Sequence, residues 1–218
     1  MTSELSQGVG NFSSTAEFDV QGNAMSLLYG DNYKEQLNLT KKIYAFDNLF
    51  RNNNKIISAK NLSLPATTLE SGCYGYMFNG CTSLTVAPSL PAITLAEYCY
   101  DSMFQGCISL TVAPELPATT LANNCYDSMF YKCTSMATAP ELPATTLAER
   151  CYDYMFKGCT SLNYIKAMFT TTPSTTYTTN WVNGVASNGT FVKNSAATWN
   201  VTGVNGIPTG WTVQNASN

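Results

Sequence analysis

Apolar side chains recur through the middle of the chain with a period of 26 residues. The four copies of this pattern align without gaps and begin at Leu64, Leu90, Leu116 and Leu142. The pattern fades after Leu162, and a weaker copy precedes the first full one, because Leu49-Phe50 corresponds to Met77-Phe78. Fixed periods of about 20–50 residues are typical of units that stack on one another and share one core. The sequence therefore predicts about four full repeats plus a degenerate N-terminal one.

The middle of each repeat has the spacing of an amphipathic helix. In the fourth repeat Leu147, Cys151 and Met155 lie at i, i+4 and i+8, which places them on one helix face. Thr146 and Glu149 have the spacing of a capping box, in which two side chains satisfy free backbone N–H groups at a helix start. Glycine follows where the helix would end, and there it adopts a left-handed conformation at little cost. These glycines are Gly80, Gly106 and Gly158.

The second half of each repeat predicts a short strand. In the first repeat Leu84-Thr85-Val86-Ala87 alternates apolar and small polar residues, and Pro88 holds the following chain extended. Stacked strands repeat at ~4.8 Å, whereas packed helices need ~8–10 Å, so the stack would curve with its strands on the concave side. The predicted fold class is an α/β solenoid, a short curved leucine-rich-repeat array with N- and C-terminal caps.

Three of the four repeats share the octapeptide Met-Phe-x-Gly-Cys-[Thr/Ile]-Ser-Leu. These segments are Met77–Leu84, Met103–Leu110 and Met155–Leu162. They resemble the Phe-x-Gly-Cys-[Thr/Ser]-Ser-Leu core of BspA-like leucine-rich repeats. The third copy departs from this core, with Lys132 in place of the glycine and Met136 in place of the leucine. The flanking segments Met25–Asp31 and Gly203–Trp211 also resemble longer members of that family.

This resemblance implies a division into an N-terminal arm or cap over 1–43, BspA-like repeats over 44–163 and a C-terminal cap over 164–218. Family members are mostly surface proteins of anaerobic and gut-associated bacteria, linked to adhesion, and similar arrays occur in proteins of phages that infect those bacteria. The N-terminus has neither the basic segment nor the apolar segment of a signal peptide, which favours the phage alternative. The first expectation is an extracellular or cell-surface recognition and adhesion protein that binds a host or bacterial surface protein or glycan. The alternative is a structural protein of a phage virion, such as a head decoration or fibre, with other virion proteins as partners.

Composition narrows the choice of chemistry. The chain has no histidine, so the commonest general base and nitrogen ligand are missing. Asp101, Asp127 and Asp153 recur without a partner carboxylate at a defined distance, so a glycosidase pair is not indicated. With a net charge of −3 and no basic stripe, nucleic-acid binding is not expected. The sequence also lacks an apolar run long enough to span a membrane. We therefore expect a non-enzymatic protein without catalytic, metal-binding or cofactor-binding residues; self-association stays open.

The eight cysteines form two columns, with one residue of each column in every repeat. They lie at positions 73, 81, 99, 107, 125, 133, 151 and 159. On a helix Cys151 and Cys159 would be ~12 Å apart, beyond the reach of a disulfide. No Cys-x-x-Cys pair is present for zinc. The prediction is buried free thiols that act as small apolar groups.

Aromatic residues offer two further interpretations. Tyr74, Tyr100, Tyr126 and Tyr152 each precede a phenylalanine by four residues. This spacing favours core packing over a sugar-stacking platform, with the hydroxyls reaching the surface. The segment after Asn163 breaks the period, and Trp181, Trp199 and Trp211 suit a cap or, as a weaker alternative, a carbohydrate-binding module.

Recognition should use positions that differ between repeats, since constant positions serve stacking. On the predicted helix side these candidate binding residues are Glu97, Tyr98, Asn123, Asn124, Glu149 and Arg150. On the predicted strand side they are Thr85 and Thr111. Ordinary solvated surface is the alternative interpretation for each of them.

Overall fold

The computed structural model describes residue 12 and residues 14–217. Its regular elements are few and short. In chain order they are β1 (Phe18–Asn23), α1 (Ser26–Tyr29), a 3-10 helix (Gly30–Glu35), β2 (Ile56–Ser63), β3 (Tyr164–Ala167), β4 (Thr190–Lys193) and β5 (Thr212–Asn215). The strands form two small parallel sheets, one with the order β1-β2 and one with the order β3-β4-β5.

The predicted leucine-rich-repeat solenoid is wrong. The described residues contain five short strands and a single α-helix of four residues, and that helix lies outside the repeats. The segment that was expected to be helical around Leu147–Phe156 contains turns instead, so Thr146 and Glu149 have no helix to cap. The predicted strand at Leu84–Ala87 is reduced to single pairs made by Val86. The predicted curvature depended on packed helices being wider than packed strands. Since the described repeats contain no helix, that argument no longer applies.

Each repeat is built instead from consecutive four-residue turns. In the second repeat Met103 donates its backbone N–H to Tyr100 O, three residues back, at 3.2 Å. The next N–H, of Phe104, points the other way and donates to Met129 O in the following repeat at 2.9 Å. This alternation continues through the turn segment. Because every second N–H leaves its own repeat, neighbouring repeats are joined by rows of backbone hydrogen bonds.

Every fourth residue of a turn segment is left-handed. In the second repeat these residues are Tyr98, Ser102 and Gly106, with φ values of 56°, 52° and 76°. The predicted left-handed conformation of Gly80, Gly106 and Gly158 is confirmed, although it closes a turn and not a helix. Where the third repeat has Lys132, the backbone keeps the same conformation with φ 62°. The four-residue period of the turns places apolar side chains at i, i+4 and i+8, which is also the spacing of one face of a helix.

Two columns of aromatic rings run through the core. Rings of adjacent repeats lie 5.2–6.0 Å apart and close to parallel, with the tyrosines in one column and the phenylalanines in the other. Such stacked pairs contribute about 0.5–1.5 kcal/mol beyond the area they bury. The predicted core role of these aromatic residues is confirmed by their complete burial. The expected surface position of the hydroxyls is wrong for Tyr74, whose Oη is buried without a hydrogen-bond partner.

Single parallel residue pairs extend from each sheet towards the other, and we name this whole arrangement the pairing column. It begins with β1 and β2, passes through the single residue pairs Ser58–Val86 and Val86–Val112, and resumes with Thr138–Tyr164 at β3. Val112 and Thr138 occupy the same position of consecutive repeats. The column ends with β4 and β5.

The C-terminal residues supply one more turn segment, although their sequence lacks the repeat pattern. Phe156 donates its N–H to Trp181 O at 2.8 Å, and the indole of Trp181 packs against the Phe156 ring at 6.0 Å. The donors of this last segment are covered by the loop that follows: Asn180 N–H reaches Asn205 Oδ1 at 2.6 Å and Trp181 Nε1 reaches Gly206 O at 2.9 Å. Within the described residues no helix has the length and apolar character needed to cross a bilayer.

All eight cysteines are free and buried, as predicted. The helical distance between Cys151 and Cys159 no longer explains this, since there is no helix. One column packs against backbone instead: Cys107 Sγ lies 3.2 Å from Phe78 O, and Cys159 Sγ lies 3.0 Å from Phe130 O. Burial raises the pKa of Cys107 well above its ordinary value and that of Cys159 to about 12.

We predict that a thiol reagent such as Ellman's reagent titrates none of the eight cysteines in the folded protein and all eight after unfolding in guanidinium. The reagent attacks thiolates, which are scarce at buried sites with a raised pKa. Fast reaction of several thiols before unfolding, or a mass that shows disulfides, would contradict this account of the core.

Candidate functional site

Six of the candidate binding residues meet on one surface. Tyr98 donates its N–H to Asn123 O at 3.3 Å, and Asn124 donates to Glu149 O at 2.9 Å, so three adjacent repeats place these positions side by side. Asn123 Oδ1 also accepts the N–H of Glu149 at 3.2 Å. We name this surface the turn face. Its variable residues are Glu97, Tyr98, Asn123, Asn124, Glu149 and Arg150.

One of the six is not available to a ligand. Asn124 is buried, and its Oδ1 has no hydrogen-bond partner among the described residues. Its φ of 54° places it in the same left-handed column as Tyr98 and Arg150, and asparagine tolerates this conformation well. The left-handed backbone conformation required by the turn is therefore enough to explain why asparagine occupies position 124, without a role in binding. The other five side chains are exposed.

Thr85 and Thr111 lie apart from the turn face, beside the pairing column. Thr85 is half-buried, and both its N–H and its Oγ1 bond to Ile57 O at 2.8 Å. Thr111 is exposed next to Val112. These two threonines therefore do not extend the surface formed by the other candidates.

A column of aspartates lies next to the variable residues of the turn face. Asp101, Asp127 and Asp153 occupy the same position of consecutive repeats, each held by a nearby donor. Ser102 Oγ donates to Asp101 Oδ1 and Ser128 Oγ to Asp127 Oδ1, both at 2.7 Å. The backbone N–H of Thr179 donates to Asp153 Oδ1, also at 2.7 Å. The sequence shows that these residues recur, but their adjacency depends on how the turns stack.

Arg150 lies beside the aspartate column. Its Nε lies 3.2 Å from Asp153 Oδ2 and its Nη2 lies 3.5 Å from Asp127 Oδ2. The arginine side chain is 48% exposed, whereas the two carboxylate side chains are 12% and 4% exposed. Two fixed carboxylates thus hold an accessible guanidinium in place.

Asp127 and Asp101 resist ionisation in spite of this arginine. Burial is the main cause that raises the pKa of Asp127 from its ordinary value of 3.8 to about 6. The negative charges of Asp101 and Asp153 raise it further, while the Ser128 hydrogen bond and Arg150 lower it. Burial also raises the pKa of Asp101. One arginine beside three carboxylates leaves this part of the turn face acidic.

Aromatic–cation contacts flank the aspartate column. Arg51 lies over the Tyr76 ring at 5.0 Å, and Lys157 lies 5.7 Å from the Tyr131 ring and 5.1 Å from the Tyr154 ring. Sequence reasoning missed these pairs. The sequence did contain a signal for one of them. Tyr131 and Lys157 occupy the same position of adjacent repeats, and residues at the same position of adjacent repeats lie close together when the repeats stack.

Catalytic and metal-binding chemistry finds little support in these groups. Asp127 and Asp153 are nearly covered, and their oxygens already bond to Ser128, Thr179 and Arg150. Within residues 12 and 14–217, no cluster of three or more acidic or cysteine side chains could hold a metal ion.

The tryptophans do not form a surface patch. Trp181, Trp199 and Trp211 are buried, and each indole N–H donates to a backbone carbonyl. A carbohydrate-binding site that uses their ring faces is therefore not supported, whereas the expected packing role fits their burial.

Two cavities lie away from the turn face. One of about 480 Å³ lies at the N-terminal end and is lined by Phe18, Val20, Leu27, Leu49 and Leu62 among others. A second cavity, of about 450 Å³, lies between the proline segments at 114–117 and 140–143. Neither is lined by a candidate binding residue.

Comparison of the chain with protein-family models, curated proteins and solved structures gives no match.

We predict that Asp127→Asn stabilises the protein at pH 8 by about 1–2 kcal/mol, less than the full pKa shift because water still reaches part of the carboxylate. The folded pKa of about 6 lies above the ordinary value, so the folded state binds more protons between these values. Stability should therefore fall as the pH rises through this interval, and the variant should show a weaker fall. Urea unfolding from pH 4 to pH 8 measures this.

The matched control is Asp31→Asn, which changes an exposed aspartate outside the repeats. It should leave the pH dependence of unfolding unchanged. An Asp127→Asn variant that is destabilised at pH 8 would show that the carboxylate is needed as an anion for Arg150.

Proposed function

We propose that this is a non-enzymatic recognition or adhesion protein that binds a surface protein or glycan through its turn face. The observation that carries the proposal is the combination of a constant scaffold with a variable surface. Backbone hydrogen bonds and buried columns repeat from unit to unit, while the exposed positions 97–98, 123 and 149–150 differ. Rigid frameworks that display different side chains are typical of binding surfaces.

The chemistry of the turn face suits a polar ligand. Tyr98 is 37% exposed and offers an aromatic surface with a hydroxyl, which is a combination common at binding sites. Arg150 offers guanidinium donors that are already fixed by Asp127 and Asp153. A side chain that is ordered before binding loses less conformational entropy when the ligand arrives. Exposed carboxylates from Glu97 and Glu149 add acceptors for hydroxyl or basic groups.

The state of the carboxylates supports a binding role over a catalytic one. General acid–base catalysis requires a group within hydrogen-bond reach of the substrate. Asp127 has a pKa of about 6, which suits such a role, but its side chain is nearly covered and bonded within the column. A setting outside the cell or at its surface remains part of the proposal and is supported by the family resemblance of the repeats.

A structural role in a virion is the second proposal. It is favoured by a different observation: among the described residues, the strand edges at the two ends of the pairing column have no partner strand, which suits a subunit that assembles with others.

Binding is tested by incubating the wild-type protein with a glycan array and a panel of immobilised matrix proteins. For any ligand found, Tyr98→Ala and Arg150→Gln should each weaken binding about tenfold or more, which corresponds to about 1.4 kcal/mol. Thr111→Ala, an exposed change beside the pairing column, should leave the affinity within about twofold.

The absence of binding to every probe would contradict the recognition proposal. A ligand whose affinity falls with Thr111→Ala but not with Tyr98→Ala or Arg150→Gln would place recognition on the pairing column instead. Thermal unfolding of each variant ensures that lost binding is not lost folding.

A further inference from the structure

We propose that this protein associates head to tail with further copies of itself, the outer edge of β5 in one copy pairing with the outer edge of β1 in the next. The proposal is independent of what the turn face binds. It rests on the pairing column, whose two ends are described next.

Both ends of the pairing column lack a further strand in the part of the chain that the structure describes. Within residues 12 and 14–217, β1 pairs only with β2, and β5 pairs only with β4. All of these pairings are parallel, so the strands at the two ends run in the same direction. A second copy placed beyond β5 in the same orientation would therefore present β1 as the next parallel strand.

The outer edge of β5 is ready to accept a strand. The N–H groups of Thr212 and Ala216 donate inward to Gly189 O and Lys193 O at 2.9 Å and 2.8 Å. Because strand residues alternate, the backbone groups of Val213 and Asn215 point outward. All four residues of β5 are exposed. Natural edge strands are commonly protected by charged residues, proline or a bulge. β5 has none of these, whereas β1 carries Asp19 and two register irregularities.

The two ends also match in their apolar surfaces. Val213 continues the line of Ile165 and Phe191, which are its partners in the parallel register and are both buried. With no strand beyond it, Val213 remains 43% exposed. At the other end, the cavity of about 480 Å³ borders β1 and is lined mainly by apolar side chains. Association would bring an exposed apolar residue to an apolar cavity, which removes both from water.

Charge does not oppose this contact. Residues 194–217 contain no charged side chain, whereas the N-terminal end carries Glu17 and Asp19 near the edge of β1. An uncharged surface can approach these acids without like-charge repulsion. By comparison, pairing two β1 edges would bring the same acids together, which disfavours a symmetric contact through β1.

The geometry determines the kind of assembly. The surface contributed by one copy differs from the surface contributed by the next, so each added copy leaves a free edge of both types. Such a heterologous contact grows into an open chain unless its rotation closes a ring. Backbone pairing supplies the affinity, as in other cases of strand addition.

The test is sedimentation velocity of the full chain over a wide range of concentrations. Wild type should rise from the 23.7 kDa monomer to species larger than a dimer as concentration increases. Asn215→Pro removes one outward N–H while keeping the inward bonds of β5, and it should hold the average mass at the monomer. The matched Asn215→Ala variant keeps that N–H and should associate like wild type. Val213→Asp, which places a charge at the apolar contact, should also abolish association.

Circular dichroism and thermal unfolding of the Asn215→Pro variant should match those of wild type, because its inward pairing is intact. A wild-type protein that stays monomeric throughout the range would overturn the proposal. Association that stops at a dimer would also overturn it, since head-to-tail contact leaves an open edge. The same holds if Asn215→Pro associates as strongly as wild type.

Discussion

The constraint on which this structure depends is the pairing of backbone groups in a chain with very little regular secondary structure. A buried N–H or C=O without a partner costs about 1–3 kcal/mol, so a compact fold must provide partners for nearly all of them. Here the turn segments meet that requirement by alternation. Met103 N–H closes a turn within its own repeat, and Phe104 N–H donates to the next repeat. Each repeat is therefore completed by its neighbours.

This alternation determines what the side chains can be. Because adjacent turn segments run side by side, equivalent positions of neighbouring repeats come into contact. Aromatic rings stack on aromatic rings, and a cysteine thiol contacts a backbone carbonyl of the previous repeat. A change at one buried position affects the packing of the same position in the two adjacent repeats, as Met136 does between Leu110 and Leu162. Variation is consequently tolerated at exposed positions such as Glu97, Asn123 and Glu149. The separation of constant core from variable surface follows from the stacking itself and is the physical basis of the recognition proposal.

The sequence predicted those features that depend on the repeat alone. The burial of Tyr100 and Cys107 and the left-handed Gly106 follow from stacked, identical units, and they hold although the predicted helix is wrong. The helix prediction failed because a turn of four residues and a helix of 3.6 residues per turn give the same apolar spacing over two turns. The apolar spacing in a single sequence therefore cannot distinguish a helix from consecutive turns. The backbone conformation can, because Ser102 has a positive φ that a right-handed helix does not allow.

Other features needed the assembled fold. The aspartate column becomes visible only when turns one repeat apart are brought together, and the raised pKa of Asp127 depends on burial that no spacing reveals. The last turn segment uses Trp181 where earlier repeats have phenylalanine, so sequence similarity gave no sign of it. The position of β1 and β5 at the edges of the described sheets likewise follows from strand pairing and not from composition.

The central claim is that the repeats consist of turns with a left-handed residue at every fourth position, and Lys132→Gly tests it most directly. Lys132 has φ 62° where the other repeats have glycine, and an L-residue in that conformation is strained by about 1–2 kcal/mol. Urea unfolding should show the variant stabilised by about 1 kcal/mol or less, after the larger entropy of the unfolded glycine is allowed for. A loss of about 1 kcal/mol, which is the cost of glycine inside a helix, would contradict the account.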